Sequence, residues 1–257
     1  MKPVVVTGSD SGIGRATAVA LARAGHDVGV TWHTDEAGAA RTAAMVEAAG
    51  ARAAIRRLDL SDRPGDAVEG LAADLGPGLW GLVACAGANH RAALLDDEPD
   101  AWRRALEISL TGPVLCIQAA ARRLVENGAG GRILAITSVH EHAPLRFAAA
   151  YAAGKAGLGM AVKVLALELA PFGITVNAIA PGHVATPMTG KADVDPATVP
   201  LPPIPLGRPA SPDEIAATAA HVFTDAAAYL TGASIVIDGG LTLTSADALQ
   251  RLVEPAA

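Results

Sequence analysis

Cysteine is nearly absent from this 257-residue chain. Cys85 and Cys116 are its two thiols, too few for a disulfide framework, and both sit in apolar runs, as expected of reduced, buried thiols in a cytoplasmic protein. Long apolar runs are missing as well. None approaches the roughly 18 residues of a membrane span, and MKPVVVTG, with one lysine before a turn glycine, is too short for a signal-peptide core. Positive charge is scarce: 20 Lys and Arg against 26 Asp and Glu leave a net charge of −6, which speaks against nucleic acid or an anionic membrane as a partner. Charged residues make up 18% and apolar residues 51%, with a mean hydropathy of +0.34, so the chain is not of the disordered kind. There is no internal repeat and no low-complexity tail. The length corresponds to about 1.7 average domains, and a core of that size needs no disulfide or metal to fold.

What is present is a strict alternation of short β-branched runs with longer Ala-rich stretches. Strands are expected over Val4–Thr7, Asp27–Thr31, Ala53–Leu58, Leu79–Ala84, Arg132–Thr137, Ile174–Ile179 and Ser234–Asp238. Helices are expected over Ile13–Ala24, Asp35–Ala49, Arg63–Leu75, Trp102–Glu126, Ala150–Ala170 and Pro212–Thr224, the last with Ser211 as N-cap and Pro212 in the first position. Glycines close several of them, Gly25 and Gly50 among them. Seven strands in this alternation predict an α/β fold: one doubly wound parallel sheet with helices on both faces, in a single domain spanning residues 1–257. The rhythm breaks between Pro187 and Pro209, which includes seven prolines. Because the alternation resumes afterwards, residues 188–209 are expected to form a substrate lid rather than a linker.

The first strand runs into Thr7-Gly8-Ser9-Asp10-Ser11-Gly12-Ile13-Gly14 and then a helix. Gly8 permits the tight turn, Gly12 lets backbone amides approach a pyrophosphate, and Gly14 lets helix and strand pack closely, with the helix N-terminus offering free N–H groups. Asp59, followed by Leu60, has two readings: it accepts from an adenine amino group, or it caps a helix. A carboxylate at the end of the second strand would bind the ribose 2′-hydroxyl of NAD; a cation there favours NADP. The chain has Thr31-Trp32-His33-Thr34 at that point and Arg15 just past the glycines, which favours NADP over NAD, against the opposite pull of Asp10.

With two tyrosines and four lysines in the whole chain, Tyr151-Ala152-Ala153-Gly154-Lys155 joins one of each at i to i+4 on a helix, so both share a face. A nearby ammonium, together with the positive charge of an oxidised nicotinamide, is expected to lower the phenol from its reference value of about 10. Such a phenol donates a proton to a carbonyl during reduction and removes one from an alcohol during oxidation. Ser138, at the end of the fifth strand, faces the same crevice as the glycine loop and can hold the substrate oxygen.

TGSDSGIG, Ser138, YAAGK, Pro181-Gly182 and Ile237-Asp238-Gly239-Gly240 together resemble the short-chain dehydrogenase/reductases of about 250 residues, over nearly the whole chain, and ITSVHEHAPL resembles the glucose 1-dehydrogenase-like and uncharacterised bacterial oxidoreductases. The resemblance implies a Rossmann-type sheet and an NADP- or NAD-dependent enzyme of a small alcohol/carbonyl pair (sugar, polyol or ketone). It implies Tyr151 as acid/base, Lys155 as the group that lowers its pKa and holds the nicotinamide ribose, and Ser138 as the group that polarises the carbonyl. Gly8, Ser11, Gly12, Ile13 and Gly14 would bind the pyrophosphate side, His33, Asp59, Leu60 and Gly87 the adenosine side, and Pro181, Gly182, Val184 and Thr186 the carboxamide. It also implies a homotetramer with the two longest helices at an interface, Cys116 and Leu115 partly buried between subunits.

Two positions depart from that pattern. The Asn-Asn-Ala-Gly turn is Ala84-Cys85-Ala86-Gly87, its lost amides expected to be compensated by packing, and the catalytic asparagine is Ser109, whose backbone carbonyl would still hold the proton-relay water. His140, Glu141, His142, Asn89, His90 and His183 gather near the mouth. His140 and His142 alternate and point apart and no third ligand has diagnostic spacing, so no metal is assigned; His140, Asn89 and His183 are candidates for substrate hydrogen bonds. Two alternatives stay open: a reductase of 3-oxoacyl groups on a carrier protein, and a dinucleotide-binding regulatory protein with weakened chemistry.

Overall fold

Val4, Val5 and Val6 are completely buried, because the strand they form lies in the middle of the sheet with a helical layer on each face. A computed structural model describes residues 2–192 and 194–244; residues 1, 193 and 245–257, which the expected domain and lid include, lie outside them. Along the chain run β1 (Val4–Val6), α1 (Gly12–Arg23), β2 (Val28–Trp32), α2 (Glu36–Ala48), β3 (Ala53–Arg57), α3 (Pro64–Leu75), β4 (Gly81–Ala84), α4 (Pro99–Leu106), α5 (Gly112–Asn127), β5 (Gly131–Ile136), α6 (Ala149–Leu169), β6 (Ile174–Pro181), α7 (Pro212–Val222) and β7 (Ser234–Ile237). All strands are parallel, in the order β3-β2-β1-β4-β5-β6-β7.

Alternation along each strand divides the core in two. Val5, Leu82, Ile133 and Val176 point to the layer of α3, α5 and α6, where Leu71, Ile117 and Leu158 meet them. Val4, Val6, Val30, Leu134 and Ile179 point the other way, to Leu21 of α1, Val46 of α2 and Ile215 of α7. β3 is less apolar than its neighbours because it is an edge strand; Arg56 leans out to pair with Asp74 at 2.7 Å.

The expected single helix over Trp102–Glu126 is a rod of two α-helices joined by a π-turn at Glu107–Thr111. Cys116 lies on its inner face, fully buried within the subunit's own core with its thiol near the Pro64 carbonyl. This corrects the expectation of a residue shared between subunits; Leu115, next to it, is the outward-facing one. Helix α6, with the turn that follows, is long and apolar enough over Ala149–Phe172 to cross a membrane by length and composition alone; one face packs in the core through Leu158, Val162 and Ala166.

The strand order reverses between β1 and β4, and the loops leaving these two strands diverge to open a crevice. One hydroxyl ties their roots together: Thr7 Oγ1 accepts from the Cys85 and Ala86 amides at 2.9 and 3.0 Å. The turn lacking its two asparagine side chains is therefore held by a threonine from the neighbouring strand as well as by packing. Replacing Thr7 by valine leaves two amides without an acceptor at about 1–3 kcal/mol each. Thr7→Val is expected to lose about 2–6 kcal/mol in urea unfolding followed by circular dichroism, through a lower midpoint at unchanged slope.

Candidate active site

Helix α1 points its N-terminus into the crevice. Its N-cap, Ser11, makes no side-chain cap bond, which leaves first-turn N–H groups free for an anion. Gly12 has φ +51°, and a Cβ there would crowd Thr186 Cγ2 at 3.2 Å; at Gly14 a Cβ would lie 2.1 Å from the Gly8 carbonyl oxygen. A cleft of about 720 Å³ extends from this loop. Gly8, Ser11, Gly12, Ile13 and Gly14 line one side of it, His33, Asp59, Leu60 and Gly87 a second, and Pro181, Gly182, Val184 and Thr186 a third. Asp238 supports this third side: its carboxylate accepts from Gly240 N and from Thr242, and its backbone closes on Gly182.

Asp59 stands at the end of β3, its carboxylate accepting from the Ser61 amide and hydroxyl at 2.9 and 2.6 Å with His33 Nε2 3.3 Å away. The Ser61 hydroxyl and amide, and then His33, hold its pKa at about 2 against the opposing effect of burial. It is the anchor of a local turn, and α3 is capped four residues later by Arg63. Arg15 turns away from the cleft: its guanidinium donates to the Asp10 carbonyl, to Thr42 Oγ1 at 3.1 Å and to the Gly38 carbonyl at 3.5 Å. Burial raises the pKa of the half-buried Asp10 carboxyl, which lines the cleft.

Ser138, Tyr151 and Lys155 meet at the other end. Ser138 ends β5 and caps the 3-10 turn Val139–Glu141 by accepting from His140 N at 3.2 Å. Tyr151 and Lys155, one turn apart on α6, share the face toward it; the Lys155 ammonium lies 5.9 Å from the Tyr151 ring centroid and donates to the Ile136 carbonyl at 2.9 Å. Burial lowers Lys155 to about 8, partly offset by Cys85 and Glu141. Burial also raises the Tyr151 phenol, with a hydrogen bond from Ser138 pulling it back. In the protein alone Lys155 is not among the groups that shift the phenol: the amine is tethered to the Ile136 carbonyl, and desolvation dominates. Cys85, half-buried in the cleft wall, is pushed up to about 12 by desolvation.

Asn89, His140 and His183 line the mouth. The His140 ring lies edge-on to Tyr151 with centroids 6.4 Å apart, and its Nδ1 contacts the Ala143 carbonyl. His183 Nε2 is 3.4 Å from Lys191 Nζ; burial, and then that ammonium, lower its pKa. Ser109 does not reach the cleft surface: it is buried on the π-turn, its Cβ facing Gly154, where a Cβ would come within 2.6 Å. Of the Pro-rich segment, Pro187, Met188 and Thr189 line the cleft, whereas Ile204, Pro205 and Leu206 pack on Gly239-Gly240. Arg91, Arg104, Ile108, Leu145 and Leu241 also line the cleft and were not foreseen. Arg104 and Ile108 stand four apart on one rod, a spacing that would have linked them; Arg91 and Leu241 carry no such local signal. Among the described residues no three His, Cys, Asp or Glu side chains converge as a metal site.

The donor set suits a dinucleotide: free helix N-terminal amides for a diphosphate, a glycine-lined floor and a buried ammonium. A family model described as Enoyl-(Acyl carrier protein) reductase matches residues 8–242. "Uncharacterized oxidoreductase YohF" of Escherichia coli K12 is 46% identical over 94% of this chain and 96% of its own length. The crystal structure of acetoin dehydrogenase YohF from Salmonella typhimurium is 44% identical with a TM-score of 0.89, over 96% of this chain and 99% of that one. That of acetoin dehydrogenase from Enterobacter cloacae is 48% identical with a TM-score of 0.88, over 94% of this chain and 96% of that one. With this sheet order, this glycine loop and this Ser–Tyr–Lys geometry, the chain belongs to the short-chain dehydrogenase/reductase family and is an NAD(P)-dependent oxidoreductase acting at CH–OH groups.

Proposed function

We propose that the enzyme interconverts a small ketone and its alcohol, of the hydroxyketone/diketone class to which acetoin belongs, with NADP preferred over NAD. The observation that carries this reading is the convergence of Ser138, Tyr151 and Lys155 on the end of the cleft opposite His33. Similarity to solved structures titled acetoin dehydrogenase supports the substrate class. No carboxylate stands among Thr31, Trp32, His33 and Thr34, which supports NADP, with His33 as the candidate partner of a 2′-phosphate; Arg15, turned inward, adds nothing.

The glycine-loop amides would hold the diphosphate, and Pro181, Gly182, Val184 and Thr186 would hold the carboxamide. When bound, the nicotinamide supplies the hydride for reduction or accepts it in oxidation. Ser138 holds the substrate oxygen, with Asn89, His140 and His183 around it. Tyr151 gives its phenolic proton to that oxygen in reduction and takes it back in oxidation. Lys155 would hold the ribose, and its ammonium, with the positive charge of an oxidised nicotinamide, would favour the phenolate that remains. Ser109 supports the turn behind Lys155, its backbone carbonyl serving the relay water.

An enzyme for carrier-bound 3-oxoacyl groups would need a basic docking face, against a net charge of −6. A purely regulatory role leaves the intact Ser138, Tyr151 and Lys155 without a purpose. The enzyme is read as cytoplasmic and homotetrameric, with the exposed apolar stripe of Met160, Val164 and Leu167 on α6 and Leu115 on α5 as the surface for a second copy. Substrate access is assigned to the lid 188–209, through its first turn at Met188 and Thr189, anchored by the Thr186–Thr189 capping box.

NADPH oxidation with diacetyl or acetoin, followed by absorbance, is expected to show turnover. Tyr151→Phe should cut kcat by about 10²–10⁴-fold while NADPH binding stays within about twofold, and equal turnover in that variant would remove the acid/base role. Since kcat/KM reports the free enzyme, reduction should hold level at acid to neutral pH and fall as pH rises through about 8, where Lys155 loses its proton. Fluorescence titration should show tighter NADPH than NADH, with His33→Asp reversing the order; tighter NADH binding to the unaltered enzyme would overturn the NADP assignment.

A further inference from the structure

We propose that Glu141 is a positioning residue of the hydride-transfer site, a buried carboxylate that serves as the counter-charge of Lys155 and ties the turn after Ser138 to α6 and β7. The inference rests on the acid/base reading of Tyr151 and Lys155 given above. The Glu141 side chain is 3% exposed. Its Oε1 accepts from the Ser234 hydroxyl on β7 and lies 2.8 Å from Nε2 of His142, whose ring faces solvent. Its Oε2 has no hydrogen-bond partner. That oxygen is tucked against α6 at Gly159, where a Cβ would come within 2.6 Å of it. Glycine is disfavoured inside a helix, and here its missing side chain is the space that the carboxylate occupies.

Gly159 is one turn beyond Lys155 on the same face of α6. The Lys155 ammonium donates to the Ile136 carbonyl at 2.9 Å and lies 5.9 Å from the Tyr151 ring centroid; Cys85 and Glu141 act on it electrostatically. Cys85, pushed up to about 12, is a neutral thiol at working pH and supplies no charge. Glu141 is then the carboxylate whose charge favours the Lys155 ammonium, its Oε2 lying against α6 one turn from that residue. A buried carboxylate with one oxygen unpartnered is a poor way to stabilise a fold. It is a good way to keep a buried ammonium charged, because opposite charges interact strongly where water is excluded. The facing groups that modulate it are Ser234, a donor without charge, and His142 on the outer side.

Glu141→Gln keeps the shape and the Oε1 acceptor and removes the charge. In that variant the alkaline midpoint of kcat/KM for ketone reduction is expected to move down by roughly one pH unit, which is about a fivefold loss at pH 8 and less than about twofold at pH 6.5. NADPH affinity, followed by fluorescence across the same pH range, should weaken along the shifted midpoint. Gly159→Ala, which displaces Oε2 and improves helix propensity, should shift the midpoint in the same direction, and it carries the same test if Glu141→Gln does not fold. A profile superimposed on that of the unaltered enzyme, or an equal loss at every pH, overturns the counter-charge role. If the unaltered enzyme has no alkaline limb near pH 8, the reading of Lys155 falls and this inference falls with it; a limb that is present but unmoved removes Glu141 alone.

Discussion

The crevice exists because the strand order turns back on itself between β1 and β4, and the rim of that reversal depends on the Thr7 hydroxyl. Two loops leave these adjacent parallel strands, and the Thr7 hydroxyl bridges their roots. Thr7 lies just beyond the end of β1, its hydroxyl within reach of the first two amides after β4. From there Gly8 turns against Ala86, where a Cβ would come within 2.7 Å of the Ala86 Cα. The glycine loop and the Cys85-Ala86-Gly87 turn are thus one interlocked unit. Anything that holds a diphosphate at α1 also fixes the wall beside Lys155, since a Cβ on Gly87 would be 3.7 Å from the lysine amine.

The site combines two opposite electrostatic environments. At the His33 end, Asp59 is partly solvated and held by Ser61 and His33, and its carboxyl is driven to about 2. At the Tyr151 end the titratable groups are buried and each shifts toward its neutral form: the phenol rises, Cys85 rises, Lys155 falls. A neutral phenol next to a lysine that titrates near the working pH suits proton donation to a ketone.

Much of this was legible in the sequence where the signal is local. The glycine spacing, the strand-end Ser138 and the four-residue interval from Tyr151 to Lys155 each lie within one element and its connection, and the strand–helix alternation carried the sheet. The π-turn at Glu107–Thr111 escaped because one extra residue in the hydrogen-bond ladder scarcely disturbs apolar periodicity. Arg15 looked like a cofactor ligand from its place after the glycines, but its length lets it reach the start of α2, which no local spacing reveals. Arg91 and Leu241 come together only in three dimensions. The place of Cys116 between subunits was implied by the resemblance rather than by its own helix, and apolar periodicity alone does not say which side of α5 meets the sheet.

Lys155 also shows what the chemistry costs the fold. A lysine lowered from about 10.5 to about 8 binds fewer protons in the folded chain than in the unfolded one between those values, so stability rises with pH across that window. At neutral pH the buried ammonium therefore opposes folding by on the order of 3 kcal/mol, a burden that an apolar residue of similar size would remove. The bond to the Ile136 carbonyl and the carboxylate of Glu141 reduce that burden without cancelling it. Helix α6 is apolar enough that nothing in its packing calls for a lysine at this position.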